Sequence, residues 1–160
     1  MRLVADTGAI LSLACSQYFN VILDNNKVII TKSVVNELQE FAKYNDILGI
    51  KAKEILGKKL TLKNPNKSIL INLEQTESEV FALAMEEKCL AFTDDAHAAR
   101  IVYEKLKFDT KPSFYLLLLL YKKRKISKEN LIKDVQLILA NRNWLSGALW
   151  EYAISIIEHL

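Results

Sequence analysis

The chain has 160 residues, 51% of them hydrophobic and 26% charged, with a formal net charge of +3. That composition describes one ordinary soluble globule and excludes a disordered, collagen-like or disulfide-rich chain. The longest apolar run, FYLLLLLY at 114–121, falls well short of the roughly twenty residues that a membrane span requires, so it predicts a buried helix and no membrane partner.

In chain order, a short apolar strand at about 2–5 is followed by Asp6 and a helical AILSLACS. The β-branched KVII at 27–30 predicts a second strand. SVVNELQEFAKY then starts a helix, with Thr31 or Ser33 as its N-cap and Val34, Val35, Leu38 and Phe41 spaced for one face. A further helix covers about 46–57, and KLTL and SILIN are strand candidates around the NPN turn. TESEVFALAMEEK predicts a helix opened by a Thr76/Glu79 capping box. CLAFT reads as a buried strand, DDAHAARIVYEKL as a helix, and three more helices cover about 112–124, 127–141 and 147–159. This alternation predicts an α/β fold with a central parallel sheet covered by helices.

Cys15 and Cys89 lie in apolar segments without CxxC spacing or a secretory leader, and read as buried free thiols of a cytoplasmic protein. Positive charge is uneven. Residues 51–67 hold six Lys against one Glu, and 122–125 read KKRK. Such runs either form a solvated lysine face or attract a polyanion such as RNA.

Asp6-Thr7-Gly8 has the letters of an aspartic-protease loop, but a largely helical chain with one copy of that triplet cannot build the paired all-β site. Asp6 instead follows a buried strand of a parallel sheet, whose C-terminal edge is where ligands gather. Asp94 and Asp95 end another such strand, and Glu37 and Glu79 sit near the starts of helices that face the same edge. Four carboxylates at about 6 Å repel pairwise by roughly 3 kcal/mol at an effective dielectric near 20, which calls for a cation or for several protonated members. Oxygen donors of this kind suit Mg²⁺ or Mn²⁺.

VADTGAI near the start, TKSVVNEL, LEQTESEVFALA and AFTDDAHAAR, in that order, resemble the PIN domains, small α/β metal-dependent ribonucleases. The resemblance runs over about residues 1–125. It implies a PIN-like three-layer α/β/α nuclease domain at 1–125, with 126–160 as a C-terminal helical extension packed on it or on a partner. The last two segments are similar to a prokaryotic subgroup with a GE-x-E-A-I-x-L-A helix and a DD-x-x-AR motif, from which Thr76 departs in place of a glycine and Val80 in place of an alanine. By resemblance the catalytic and metal-binding acids are Asp6, Glu37, Glu79 and one of the Asp94-Asp95 pair. Asp95 is preferred as the fourth ligand, with Asp94 as the N-cap of the next helix.

Simpler roles stand beside these: Glu79 as capping-box partner, Glu37 as a charge near a helix start, Glu77 at solvent or on the rim. Thr7 and Thr93 either hold a metal-bound water or phosphate oxygen, or cap locally. Arg100 either contacts substrate phosphate or pairs with Asp94 or Glu104. His97 lacks companions for a zinc set and reads as a surface residue. The implied activity is hydrolysis of single-stranded RNA phosphodiesters through Mg²⁺ or Mn²⁺, in the manner of the toxin of a toxin–antitoxin pair, with an antitoxin protein or a second copy as partner. The competing reading is an inactive PIN-like module that binds nucleic acid or protein. A stripe of Leu145, Leu149, Tyr152, Ile156 and Leu160 would carry packing by the last helix.

Overall fold

The computed structural model describes the backbone of residues 1–69, 71–142 and 147–160, and the side chains of the same residues except 147–150. Five strands, β1 (Arg2–Ala5), β2 (Lys27–Ile30), β3 (Thr61–Leu62), β4 (Leu90–Phe92) and β5 (Thr110–Lys111), form one parallel sheet in the order β3-β2-β1-β4-β5. In the central ladder Val4 pairs with Ile29 on one side and with Ala91 on the other. Leu3, Val4, Ala5, Ala91 and Phe92 are wholly inaccessible. Uninterrupted apolar strands give this burial when helices cover both faces of a parallel sheet, the α/β architecture expected.

Strand order reverses at β1: the chain leaves it for β2 on one side and later returns to its other side as β4. The crevice of a parallel α/β sheet opens beyond the strand ends at this switch point. There the ladder runs one residue further, through Asp6 N–H to the Phe92 carbonyl and Thr93 N–H to the Lys111 carbonyl, both 3.0 Å. Asp6 and Thr93 thus sit side by side above the sheet.

The helices are α1 (Thr7–Ala14), α2 (Phe19–Asn25), α3 (Lys32–Phe41), α4 (Ile47–Leu56), α5 (Gln75–Glu86), α6 (Ala96–Leu106), α7 (Tyr115–Lys122), α8 (Lys128–Asn141) and α9 (Gly147–Glu158). Helix α2 and the two-residue edge strand β5 are additions to the expected elements. SILIN, at 68–72, forms no strand among its described residues. The backbone N–H groups of Asn66 and Lys67 go to the Glu86 carboxylate at the end of α5, which pulls the segment off the sheet edge. Of the two candidate caps for α3, Thr31 is the one used, accepting from Val34 N–H at 3.3 Å.

The extension after residue 125 packs on its own domain. Helix α8 lies against α1 and α7, and α9 against α8. Asp134 of α8 is buried and accepts hydrogen bonds from the Ser16 hydroxyl and, at 2.9 Å, from Gln17 N–H, which locks α8 onto the turn after α1. On α9 the inward residues are Ala153 and Ile157, with Ile156 packed beside them. Of the expected stripe, Ile156 packs there, whereas Tyr152 is half-exposed with its ring edge-on to Phe114, Leu160 is exposed, and Leu145 and Leu149 fall outside the described side chains. No helix among the described residues is long and apolar enough to cross a membrane. Both cysteines are free, Cys15 buried as expected and Cys89 only half-buried.

Candidate active site

Asp6 serves first as a helix cap. Its carboxylate accepts from Ala9 N–H at 2.6 Å, closing the first turn of α1 at the end of β1. The residue is almost wholly buried. Burial pushes its carboxyl up to about 7; the Ala9 N–H and the Thr93 hydroxyl pull it down, and Asp94 and Glu77 push it up again. The same Thr93 hydroxyl accepts from Asp95 N–H at 3.0 Å, so it links the two strand-end acids.

A cleft of about 240 Å³ opens over Asp6, lined by Asp6, Thr7, Glu37, Glu77 and Asp95 among others, with Arg142 buried in its wall. The Glu37 carboxylate is held between two helices: it accepts from the Thr7 hydroxyl of α1 and, at 2.5 Å, from the Thr76 hydroxyl of α5. Burial raises the Glu77 carboxyl, and Asp95 raises it further. The structure thus brings together Asp6, Thr7, Glu37 and Asp95, as the sequence implied, and Thr93 stands directly behind them.

Two expected placements change. Glu79 does not line the cleft. Helix α5 begins two residues earlier than the Thr76/Glu79 box requires, with Glu74 at its N-cap, so Glu77 takes the third helical position and receives the Glu74 N–H. Two residues on, about 200° around the helix, Glu79 lies on another face, where Ser33 and Gln75 donate to it at 2.5 and 2.8 Å.

The cap of α6 also passes from Asp94 to Asp95. Asp95 is the N-cap of α6, accepting from His97 and Ala98 N–H at 2.8 and 2.9 Å, and still lines the cleft. Asp94 is buried outside the cleft lining, with one oxygen on Ser113 N–H and the other on the Ser113 hydroxyl, each 2.8 Å. Of the two readings of Arg100, the structure has the pair with Glu104, at 3.9 Å on the exposed side of α6 and away from the cleft.

The cation that does reach the cleft is Arg142, the residue that ends α8. Burial lowers its ordinarily very high pKa, while Asp94, Cys15 and Asp6 raise it again; a guanidinium in such company keeps its charge. Sequence reading passed over it because it lies 136 residues from Asp6 in an apolar tail. A signal was present, since an arginine amid helical core residues must find buried acids. The hydroxyls of Thr7 and Thr93 bond the acids Glu37 and Asp6. His97 is exposed beside Asp95 and Glu77.

The cleft's donors are all oxygens, which suits a hard cation. As the side chains stand, no three acids, histidines or thiols among the described residues converge on one point. Mg²⁺ is held by one or two carboxylates with its waters and substrate phosphates completing the shell, and Asp6 with Asp95 meets that need. The anionic charge crowded around buried Asp6 is what such an ion would offset.

A family model described as DUF3368: PIN domain matches residues 2–159. The match runs on through the helices after residue 125, where the resemblance seen in the sequence stopped. Among solved structures, the chain is similar to a PilT N-terminus domain protein from the hyperthermophilic archaeon Sulfolobus solfataricus P2, at 22% identity and a TM-score of 0.52, over 74% of this chain and 92% of that one. At that identity the likeness is one of fold. None of the curated proteins compared with the chain matches it.

Proposed function

The chain belongs to the PIN-domain family, whose members are generally nucleases that use divalent metal ions, and from that premise we propose that it is a metal-dependent endoribonuclease acting on single-stranded RNA. The observation that carries the reading is the single cleft at the sheet's switch point in which Asp6, Glu37, Glu77 and Asp95 meet buried Arg142. Mg²⁺ or Mn²⁺, when bound through Asp6 and Asp95, would supply a Lewis acid for the bridging phosphate and lower the pKa of a coordinated water.

The chain's own residues do the rest. Thr93 fixes the spacing of Asp6 and Asp95 through its one hydroxyl. The hydroxyls of Thr7 and Thr76 hold Glu37 in one rotamer, so that its remaining lone pairs stay directed and need no reorganisation during the reaction. Glu77, raised by burial and by Asp95, is placed to accept a proton from the attacking water. Arg142 sets a fixed positive charge in the wall, where negative charge on the phosphorane oxygens grows. Resemblance to the family supports 5′-phosphate and 3′-hydroxyl products, and it alone supports a toxin role with an antitoxin protein as partner.

Asp6→Asn keeps the shape of the side chain and removes its charge. Cleavage of single-stranded RNA with Mn²⁺ is expected to fall at least about a hundredfold, roughly 2.7 kcal/mol of transition-state stabilisation. Equal rates for the two proteins, at matched metal and salt, would remove the cleft from the chemistry and leave the non-cleaving binding module.

A further inference from the structure

A second groove, of about 410 Å³, shares two helices with the acid cleft. Neighbouring residues divide between them. Helix α3 lends Glu37 to the cleft and Asn36 to the groove; α5 lends Thr76 and Glu77 to the cleft and Gln75 and Glu79 to the groove. Lys32, Ser33, Asn64 and Ser68 line the rest of the polar wall.

The groups that face this groove are edge-readers. Asn64 spends its carbonyl oxygen on Lys32 N–H at 2.8 Å, which leaves its NH₂ for a ligand. Gln75 gives one N–H to Glu79 at 2.8 Å and keeps its oxygen and second N–H. Glu79, pinned by Ser33 and Gln75, retains acceptor sites, since a carboxylate offers about four. Among the described residues the Asn36 amide is bonded to no other side chain or backbone group. An amide with both donor and acceptor free matches the paired donor and acceptor on a base edge. Lys32 adds one cation at the mouth, suited to a backbone phosphate.

Resting on the nuclease reading, the geometry points to this groove as the subsite for an unstacked nucleobase of single-stranded RNA adjoining the phosphodiester held in the cleft. The groove and the cleft are built on the same two helices, α3 and α5, so a strand that runs from the acids across these helices reaches the groove. A protein segment is the weaker occupant, because Pro65 is the one apolar side chain in the lining and gives an aromatic or aliphatic anchor no apolar wall. The lining also lacks an aromatic ring on which a base would stack. Recognition therefore rests on hydrogen bonds to the base edge, and it acts on base preference more than on overall affinity.

The test is the pattern of cuts in a pool of single-stranded RNA of random sequence, with Mn²⁺, read from the new 5′ ends. The unmodified protein is expected to favour one base at a fixed position beside the cut. Asn36→Ala with Gln75→Ala is expected to flatten that preference by about fivefold or more, the discrimination of one good base contact. Both residues are exposed, and thermal melting checks that the double variant folds. Cleavage by the unmodified protein without base preference, or a double variant with the same preference, overturns the subsite and leaves the nuclease reading intact. An uncut pool counts instead against the nuclease reading, and the sequences captured from that pool in chelator then decide the subsite: capture of the same sequences by both proteins, or of none, overturns it.

Discussion

One carboxylate, that of Asp6, caps a helix, faces a cleft and sits almost without solvent. These duties conflict, and pH exposes the conflict. Its carboxyl is raised from an ordinary 3.8 to about 7, so between those values the folded chain holds a proton that the unfolded chain has lost. Folded stability then falls as pH rises. The Asp6 contribution is complete below about pH 4 and gone above about pH 7, with an upper bound on the order of 4 kcal/mol. In chelator, urea unfolding at pH 5 and pH 8 should show the unmodified protein losing stability with pH, and Asp6→Asn losing less. Parallel pH profiles for the two proteins would mean that Asp6 is solvated. At this scale the sequence revealed which strand ends carry acids; which of two neighbouring acids faces the cleft it named for Asp95 over Asp94 through the family resemblance, but not for Glu77 over Glu79. For Glu77 and Glu79 the answer depends on the starting residue of α5, and Thr76, which looked like the cap, is turned instead to Glu37. For Asp94 and Asp95 it depends on Ser113, a tertiary partner 19 residues away.

Among the elements, α8 links the tail to the site. Its grip is Asp134, buried against Ser16 and Gln17, and the turn that ends the helix delivers Arg142 to the cleft. Asp134→Ala would leave a buried hydroxyl and N–H without their acceptor, at a cost of about 2–3 kcal/mol. Urea unfolding should register that loss, and RNA cleavage should fall with it because Arg142 is displaced; full activity in the variant would separate the tail from the chemistry. The long elements were readable because apolar residues recur at helical or strand spacing. The missed ones lacked that signal: β5 is two residues at the sheet edge, and α2, with only Phe19 and Ile22 buried, is too short for a clear period. The tail looked separable because its ties to the body, apolar through Leu131, Val135 and Ile138 and polar through Asp134, join residues distant in sequence.

The whole molecule is polarised. Acids crowd the C-terminal edge of the sheet, whereas Arg2 and Lys27 begin β1 and β2, and Lys125 of the KKRK run bonds Asn25 just before β2. The basic run therefore lies at the other end of the sheet from the cleft and is not part of its lining. A cation that binds only the folded state stabilises it by about 2.7 kcal/mol at a hundred times its dissociation constant, or roughly 5–10 °C for a chain of this size. Millimolar Mn²⁺ should produce a rise of that order, chelator should reverse it, and Asp6→Asn should abolish most of it; an indifferent melting temperature would mean that the cleft takes no ion.

The union of Ser16 with Asp134 spans 118 positions, and Arg142 comes later still. During translation, Asp6, Glu37, Glu77 and Asp95 all emerge before the segment that carries their built-in countercharge. At roughly 5–20 residues per second, a nascent chain waits on the order of several seconds between its last cleft acid and that arginine. On the proposed nuclease reading, a ribosome-bound fragment would still lack that fixed charge, and RNA cleavage is expected to begin only once the final helices have been made.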